Sequence, residues 1–179
     1  MRIAVSGTHG AGKSTLVQEL GKVLPDYDVV EEPYYALLDE GYAFAAEPTV
    51  EDFETLLQRS ITSLAEVQGE RVLFDRCPAD YLAYLAALPG ADSGALATWV
   101  SSAQDVFGVL DLIVYVPVER PDRIHIPEIE GTRLRKRVDA MLREMLVEDA
   151  WGFGVPVLEV CGTPGERMRS VLWHLRSVE

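Results

Sequence analysis

The chain has 179 residues, 48% of them apolar, and a formal charge of −13 from 29 acidic and 16 basic side chains. That length suits one domain spanning residues 1–179, and the apolar share is enough for a packed core and too high for a disordered chain. So acidic a body repels phosphate backbones at long range, which argues against a non-specific nucleic-acid binder, and no run approaches the about 20 apolar residues that cross a bilayer. The N-terminus, Met1-Arg2-Ile3-Ala4-Val5-Ser6-Gly7, reads as a strand entering a turn rather than a signal peptide, so a cytoplasmic protein is expected. Cys77 and Cys161 fit two reduced thiols, and neither has the CxxC spacing of a zinc site.

In chain order, residues 2–6 read as a first strand and residues 13–24 as a helix with Leu16, Val17, Leu20, Val23 and Leu24 on one face. A second strand spans residues 28–32 and stops at Pro33. Helices are expected over residues 34–46 and 50–68, the latter with Thr49 as N-cap and Glu51 and Asp52 in its first turn. Residues 71–75 form a third strand, residues 79–88 and 95–106 two helices, and residues 112–118 a fourth strand. A helix over 132–148, a fifth strand over 156–160 and a last helix over 164–178 complete the chain. Apolar strands alternating with helices imply an α/β fold, a parallel sheet covered on both faces.

Between the first strand and first helix stands Gly7-Thr8-His9-Gly10-Ala11-Gly12-Lys13-Ser14, a match to GxxxxGK[ST] in the required strand–turn–helix context. Glycines let the backbone aim successive N–H groups inward, and the helix N-terminus adds to their pull on an anion. A nucleotide triphosphate, ATP with Mg²⁺, is the expected ligand. Lys13 reaches its β- and γ-phosphates, Ser14 ligates the metal, and Thr15 supports the loop or touches the α-phosphate. His9 falls in the variable part of the motif, as a spacer.

Ligands of open parallel sheets sit beyond the carboxyl ends of the strands. The second strand ends in Glu31-Glu32-Pro33, where one of two adjacent carboxylates can face the site and take a proton from an attacking hydroxyl. The third ends in Asp75-Arg76, a carboxylate suited to Mg²⁺ and an arginine beside phosphate or acceptor. Which of Glu31, Glu32 and Asp75 is the base stays open at this level. After the fourth strand, Arg120, Arg123, Arg133, Arg135 and Arg137 make an arginine-rich segment, with Arg133 and Arg137 an i,i+4 pair. Its alternative reading is a solvated helix face. The turn Cys161-Gly162-Thr163-Pro164-Gly165 can wrap a nucleotide base or merely join strand to helix. Tyr34, Tyr35, Phe44, Tyr81 and Tyr84 suit a core, or an acceptor pocket, while His125 and His174 suggest no catalytic partner.

These motifs together resemble the P-loop nucleoside and nucleotide kinases: deoxynucleoside kinases, thymidylate kinases and ribosylnicotinamide kinase-like AAA-type ATP-binding domains. The P-loop and Asp75-Arg76-Cys77-Pro78-Ala79-Asp80, with Tyr84 beyond, look most like the last set. Glu32-Pro33 resembles the catalytic Glu-Pro of deoxynucleoside kinases, and Gly131-Thr132-Arg133 with Arg137 their lid (about residues 119–137); Thr163 and Pro164 match the adenine loop. The resemblance implies a three-layer P-loop fold with a five-stranded sheet in the order 2-3-1-4-5. It further implies phosphoryl transfer from ATP with Lys13, Glu32, Asp75, Arg76, Arg133 and Arg137 as the catalytic set. The nucleotide would lie on Gly7, His9, Gly10, Ala11, Gly12, Lys13, Ser14, Thr15, Arg133, Thr163 and Pro164, with Mg²⁺ on Ser14 and Asp75. The segment between the second and third strands matches no well-known member, so the sequence points only to a nucleoside-like acceptor. Two other readings remain, an ATP-dependent switch and a polynucleotide 5′-end kinase. A guanine-specific GTPase is excluded, because its Asn-Lys-x-Asp motif needs asparagine and the chain has none. Oligomeric state is left open, a homodimer among the options.

Overall fold

The computed structural model describes residues 1–90, 92–119 and 132–178. Five strands, β1 (Arg2–Ser6), β2 (Asp28–Val30), β3 (Val72–Asp75), β4 (Leu112–Tyr115) and β5 (Val157–Glu159), pair all-parallel in the order β2-β3-β1-β4-β5. This is the α/β order that the resemblance implies. The central strand β1 sets Ile3 opposite Leu73 on one side and Leu112 on the other. Asp75 therefore lies opposite Val5, two residues before the P-loop begins.

Strand alternation divides the core into two. Ile3 and Val5 join Leu73, Leu112 and Val114 on one face, under Leu16, Val17 and Leu20 of α1 (Lys13–Val23) and Val171 and Leu175 of α7 (Pro164–Val178). Ala4, Val72, Phe74, Ile113 and Tyr115 point the other way. They meet residues of α3 (Val50–Glu66), α4 (Pro78–Ala87), α5 (Ser93–Phe107) and α6 (Thr132–Leu142). Nearly every residue of α4 is buried, as expected of a helix enclosed by neighbours on all sides. That position carries its polar residues, Asp80 and Tyr84, into the interior beside the P-loop.

The elements differ from the sequence expectation mainly in length. The helix expected over 34–46 is α2, Pro33–Asp39. Gly41, at φ 88°, ends it in a Schellman turn: Tyr42 N–H donates to the Leu37 carbonyl and Gly41 N–H to that of Leu38, both at 2.9 Å. β2 stops at Val30 because Glu32 is already the N-cap of α2 and Pro33 its first residue. α6 ends at Leu142 and runs on as a π-helical turn, Arg143–Val147. Thr49 caps α3 as expected, in a reciprocal capping box with Asp52. Among the described residues no helix is long and apolar enough to cross a membrane.

Candidate functional site

The P-loop leaves β1 through three glycines with positive φ, Gly7 (153°), Gly10 (63°) and Gly12 (92°). Each of its carbonyls from Gly7 to Ala11 accepts a hydrogen bond from a basic side chain. Arg76 Nη1 donates to Gly7 O at 3.2 Å, Lys13 Nζ to Thr8 O at 2.9 Å, and Arg135 Nε and Nη2 to His9 O and Gly10 O at 3.0 and 3.2 Å. Arg167 Nη1 donates to Ala11 O at 2.6 Å. Charge-assisted bonds of this kind are the strong ones. They fix the orientation of the loop's peptide planes. In a chain of net charge −13, the cations needed for an anion site are thus concentrated at one loop.

Arg76 is the hub. It is one of two described non-glycine residues with positive φ, at 82°, a strained conformation that persists only where its surroundings impose it. Its amide donates to Val5 O at 3.0 Å, its Nε to Glu32 Oε1 at 2.5 Å, and its Nη1 to Asp80 Oδ1 at 3.2 Å. Burial works against its charge, but Glu32, Tyr81 and Asp80 hold its pKa well above the ordinary arginine value. Of the paired carboxylates, Glu31 is exposed and Glu32 faces inward to Arg76.

Asp80 is 0% exposed. Its Oδ1 also accepts the Gly7 N–H at 3.0 Å, and its Oδ2 accepts the Cys77 N–H at 3.2 Å. One carboxylate therefore caps α4, orients Arg76 and anchors the entry of the P-loop. Burial, then the charge of Asp80, pushes the Cys77 thiol well above its usual range, so it is an inert core thiol. Asp75 is 7% exposed and accepts a hydrogen bond from Ser14, while its Oδ1 is buried without a partner among the described residues. Burial raises its pKa, a rise that the Ser14 bond opposes. Burial, and next the charge of Arg76, lowers Lys13 to about 7.

The second ring of support lies at the ends of β4 and β5. Glu119 Oε1 accepts from Arg167 Nη2 at 3.0 Å and from the Gly162 amide, which ties both strand exits to the Ala11 peptide. An open groove of about 610 Å³ lies here, lined by Val118, Glu119, Arg143, Cys161, Gly162 and Glu166 among others. Thr163 serves as cap of α7: its amide and hydroxyl both donate to Glu166 Oε2 at 2.7 Å, with Pro164 as the first helical residue.

Sequence reasoning thus finds Gly7, Gly10, Gly12, Lys13, Ser14, Glu32, Asp75 and Arg76, and the structure brings them together at the carboxyl ends of β1, β2 and β3. It places Arg133 and Arg137 on the exposed side of α6 and turns Arg135 inward. Arg120, Arg123, His125 and Gly131 lie outside the described residues, as does most of the expected lid. Sequence reasoning does not name Arg167, and it gives no individual role to Arg135 within the arginine-rich segment, to Asp80 within the 75–80 motif or to Tyr84 beyond a core or acceptor-pocket choice. A signal for two of them exists: Arg135 is in helical phase with buried Val138 and Leu142, and Arg167 with Val171 and Leu175. Tyr81 and Tyr84 are core residues, Tyr84 stacked on Phe53 with centroids 4.6 Å apart. The Tyr81 hydroxyl is buried without a partner among the described residues.

A family model described as an AAA domain matches residues 2–167, and the chain belongs to that family. No curated protein sequence matches it. Among solved structures it is similar to deoxyadenosine kinase from M. mycoides. One structure, with dCMP and a flexible dCDP bound, aligns over 100% of both chains at 20% identity and a TM-score of 0.69. Another, with dATP bound, aligns over 98% of this chain and 100% of that one, at 20% identity and a TM-score of 0.70. The fold is therefore the P-loop nucleoside kinase fold that the resemblance implied.

Proposed function

We propose that the protein is an ATP-dependent small-molecule kinase that transfers the γ-phosphate to a hydroxyl or phosphate of a nucleoside-like acceptor. The observation that carries this reading is the Glu32–Arg76 pair, 2.5 Å apart and held beside the P-loop lysine. A carboxylate held between Arg76 and Lys13 is placed to take a proton from an acceptor hydroxyl. The dATP, dCMP and dCDP found in the deoxyadenosine kinase structures agree with a nucleoside-like substrate class.

In this reading the inward amides of the P-loop and Lys13 hold the triphosphate. Glu32 accepts the proton of the acceptor hydroxyl as its oxygen attacks the γ-phosphorus and the bond to the β–γ bridging oxygen breaks, leaving ADP. Arg76 orients Glu32 and balances charge spreading over the transferred group. Hydrogen bonding of Ser14 to Asp75, together with the unpartnered Asp75 Oδ1, makes a hard oxygen pair that suits Mg²⁺. When bound, Mg²⁺ neutralises charge on the β- and γ-phosphate oxygens.

The test is transfer of radiolabelled γ-phosphate from ATP across nucleosides, nucleotides, nicotinamide riboside, sugars and short oligonucleotides. Label found only as inorganic phosphate would favour a regulatory ATPase, and label on oligonucleotide 5′ ends a polynucleotide kinase. Glu32→Gln should lower the transfer rate by about 10²–10⁴ while ATP affinity changes little. Normal turnover by that variant would remove Glu32 from the base role.

Lys13 supplies a prediction with a sign. Its folded pKa of about 7 lies below the usual 10.5, so the cost of burying its charge is present below pH 7. That cost is relieved as pH rises through about 7 towards 10.5. The negative charge of the triphosphate reverses the depression, so Mg-ATP binding near pH 8 should take up close to one proton. Calorimetry in buffers of different ionisation enthalpy measures it, and Lys13→Met should abolish it.

A further inference from the structure

His9 is the third residue of the P-loop, and Tyr84 engages it twice. The Tyr84 hydroxyl accepts the His9 backbone N–H at 2.9 Å and lies 2.8 Å from His9 Nδ1. A phenol has one proton to give. It can go to His9 Nδ1 at 2.8 Å or to Thr8 Oγ1 at 3.4 Å. Given to Nδ1, the shorter contact, it leaves the single ring proton of a neutral imidazole on Nε2. Stacking of Tyr84 on Phe53, with the rings 7° from parallel, holds the phenol in place. The His9 ring also lies in the field of Arg135, Arg76 and Lys13, and burial together with these cations lowers its pKa to about 4. The imidazole is therefore uncharged at neutral pH, and Nε2 is the ring nitrogen that Tyr84 leaves open.

We propose that Tyr84 gives its proton to Nδ1 and so fixes the tautomer as the positioning residue, and that His9 donates the resulting Nε2–H to an oxygen at the junction of the γ-phosphate and the acceptor. The proposal rests on the kinase reading, because it takes the cations around His9 to be those that surround the transferred phosphate. A neutral donor adds a directional hydrogen bond without a further positive charge. With Nδ1 occupied by Tyr84, the ring does not compete with Glu32 for the acceptor proton.

The test uses the intact protein labelled with ¹⁵N-histidine. His9 resonances are assigned by their loss in His9→Gln, and long-range ¹H–¹⁵N correlation reads the protonation of each ring nitrogen. The expected result is a protonated Nε2 and a bare Nδ1 from about pH 5.5 to about pH 8, with the Nε2 signal moving when a non-hydrolysable Mg-ATP analogue is added. Tyr84→Phe, which retains the stacked ring, should mix the tautomers. His9→Ala should lower kcat by about 10–100-fold with a smaller change in KM, and His9→Gln, whose amide can donate near the same position, should recover most of that loss. An Nδ1–H tautomer or an imidazolium in the wild-type protein at neutral pH would overturn the proposal, as would His9→Ala turning over at the wild-type rate. If no acceptor is phosphorylated while the Nε2–H tautomer is present and responds to the analogue, the kinase reading fails and His9 stands as a phosphate contact.

Discussion

An Arg76→Ala protein is expected to lose both its chemistry and much of its stability. Removing the guanidinium leaves Asp80, 0% exposed, and the largely buried Glu32 without their shared counter-charge. Breaking a buried pair from one side costs about 3–5 kcal/mol, because the remaining charge is stranded. Gly7 O loses its donor at the same time, so the entry of the P-loop loosens. Phosphoryl transfer should fall by at least about 10³, the scale on which an arginine at a transferred phosphate acts. Arg76→Lys should not rescue it. An ammonium lacks the planar fork that reaches Glu32, Gly7 O and Asp80 together. Denaturant melts of Arg76→Ala, Asp80→Asn and the double variant give the coupling directly. The double variant should be less destabilised than the sum of the singles, since neutralising Asp80 removes the stranded charge. Strict additivity would show that the two side chains do not act as a pair.

Gly7→Ala should abolish nucleotide binding through geometry alone. A Cβ at residue 7 would run into the backbone carbonyl of Val116, on the segment leaving β4, at less than contact distance, and the residue sits at φ 153°. The obstacle is main chain, so no side chain can turn aside. β4 is itself locked to β1 by the Val116 N–H bond to Ser6 O at 2.8 Å. Strain and overpacking together should cost about 3 kcal/mol or more, lowering Tm by about 6–12 °C for a chain of this size. Mg-ATP should give no detectable heat on titration. Gly108 is the control: a Cβ there meets nothing within 4 Å and its φ is −61°, so Gly108→Ala should leave both measurements unchanged. Wild-type affinity in Gly7→Ala would mean that the loop does not need this turn.

The chain order of strand, glycine turn and helix was enough to locate the phosphate loop, and strand ends were enough to locate Glu32 and Asp75-Arg76. These are local signals: apolar runs, residues at fixed offsets, and the rule that strand ends face the ligand. The choice between Glu31 and Glu32 was legible only as a choice, because alternation says that one of them faces in without saying which. Folding decides it through Arg76, which lies 44 positions away in sequence and 2.5 Å away in space.

Arg135, Arg167 and Asp80 show what was out of reach. A helix bearing several arginines offers no local sign of which one meets a loop 125 residues earlier, although the phase shared by Arg135, Val138 and Leu142 marks the inward one in retrospect. Asp80 reads as an ordinary capping residue until α4 is seen buried against the P-loop. The sequence by itself determined the layered α/β plan and the anion-binding loop, because backbone periodicity and glycine conformation act over a few residues. Only the tertiary structure decided which cations grip the loop's carbonyls and which carboxylate pairs with Arg76, because those pairings arise where separate helices converge on the ends of the sheet.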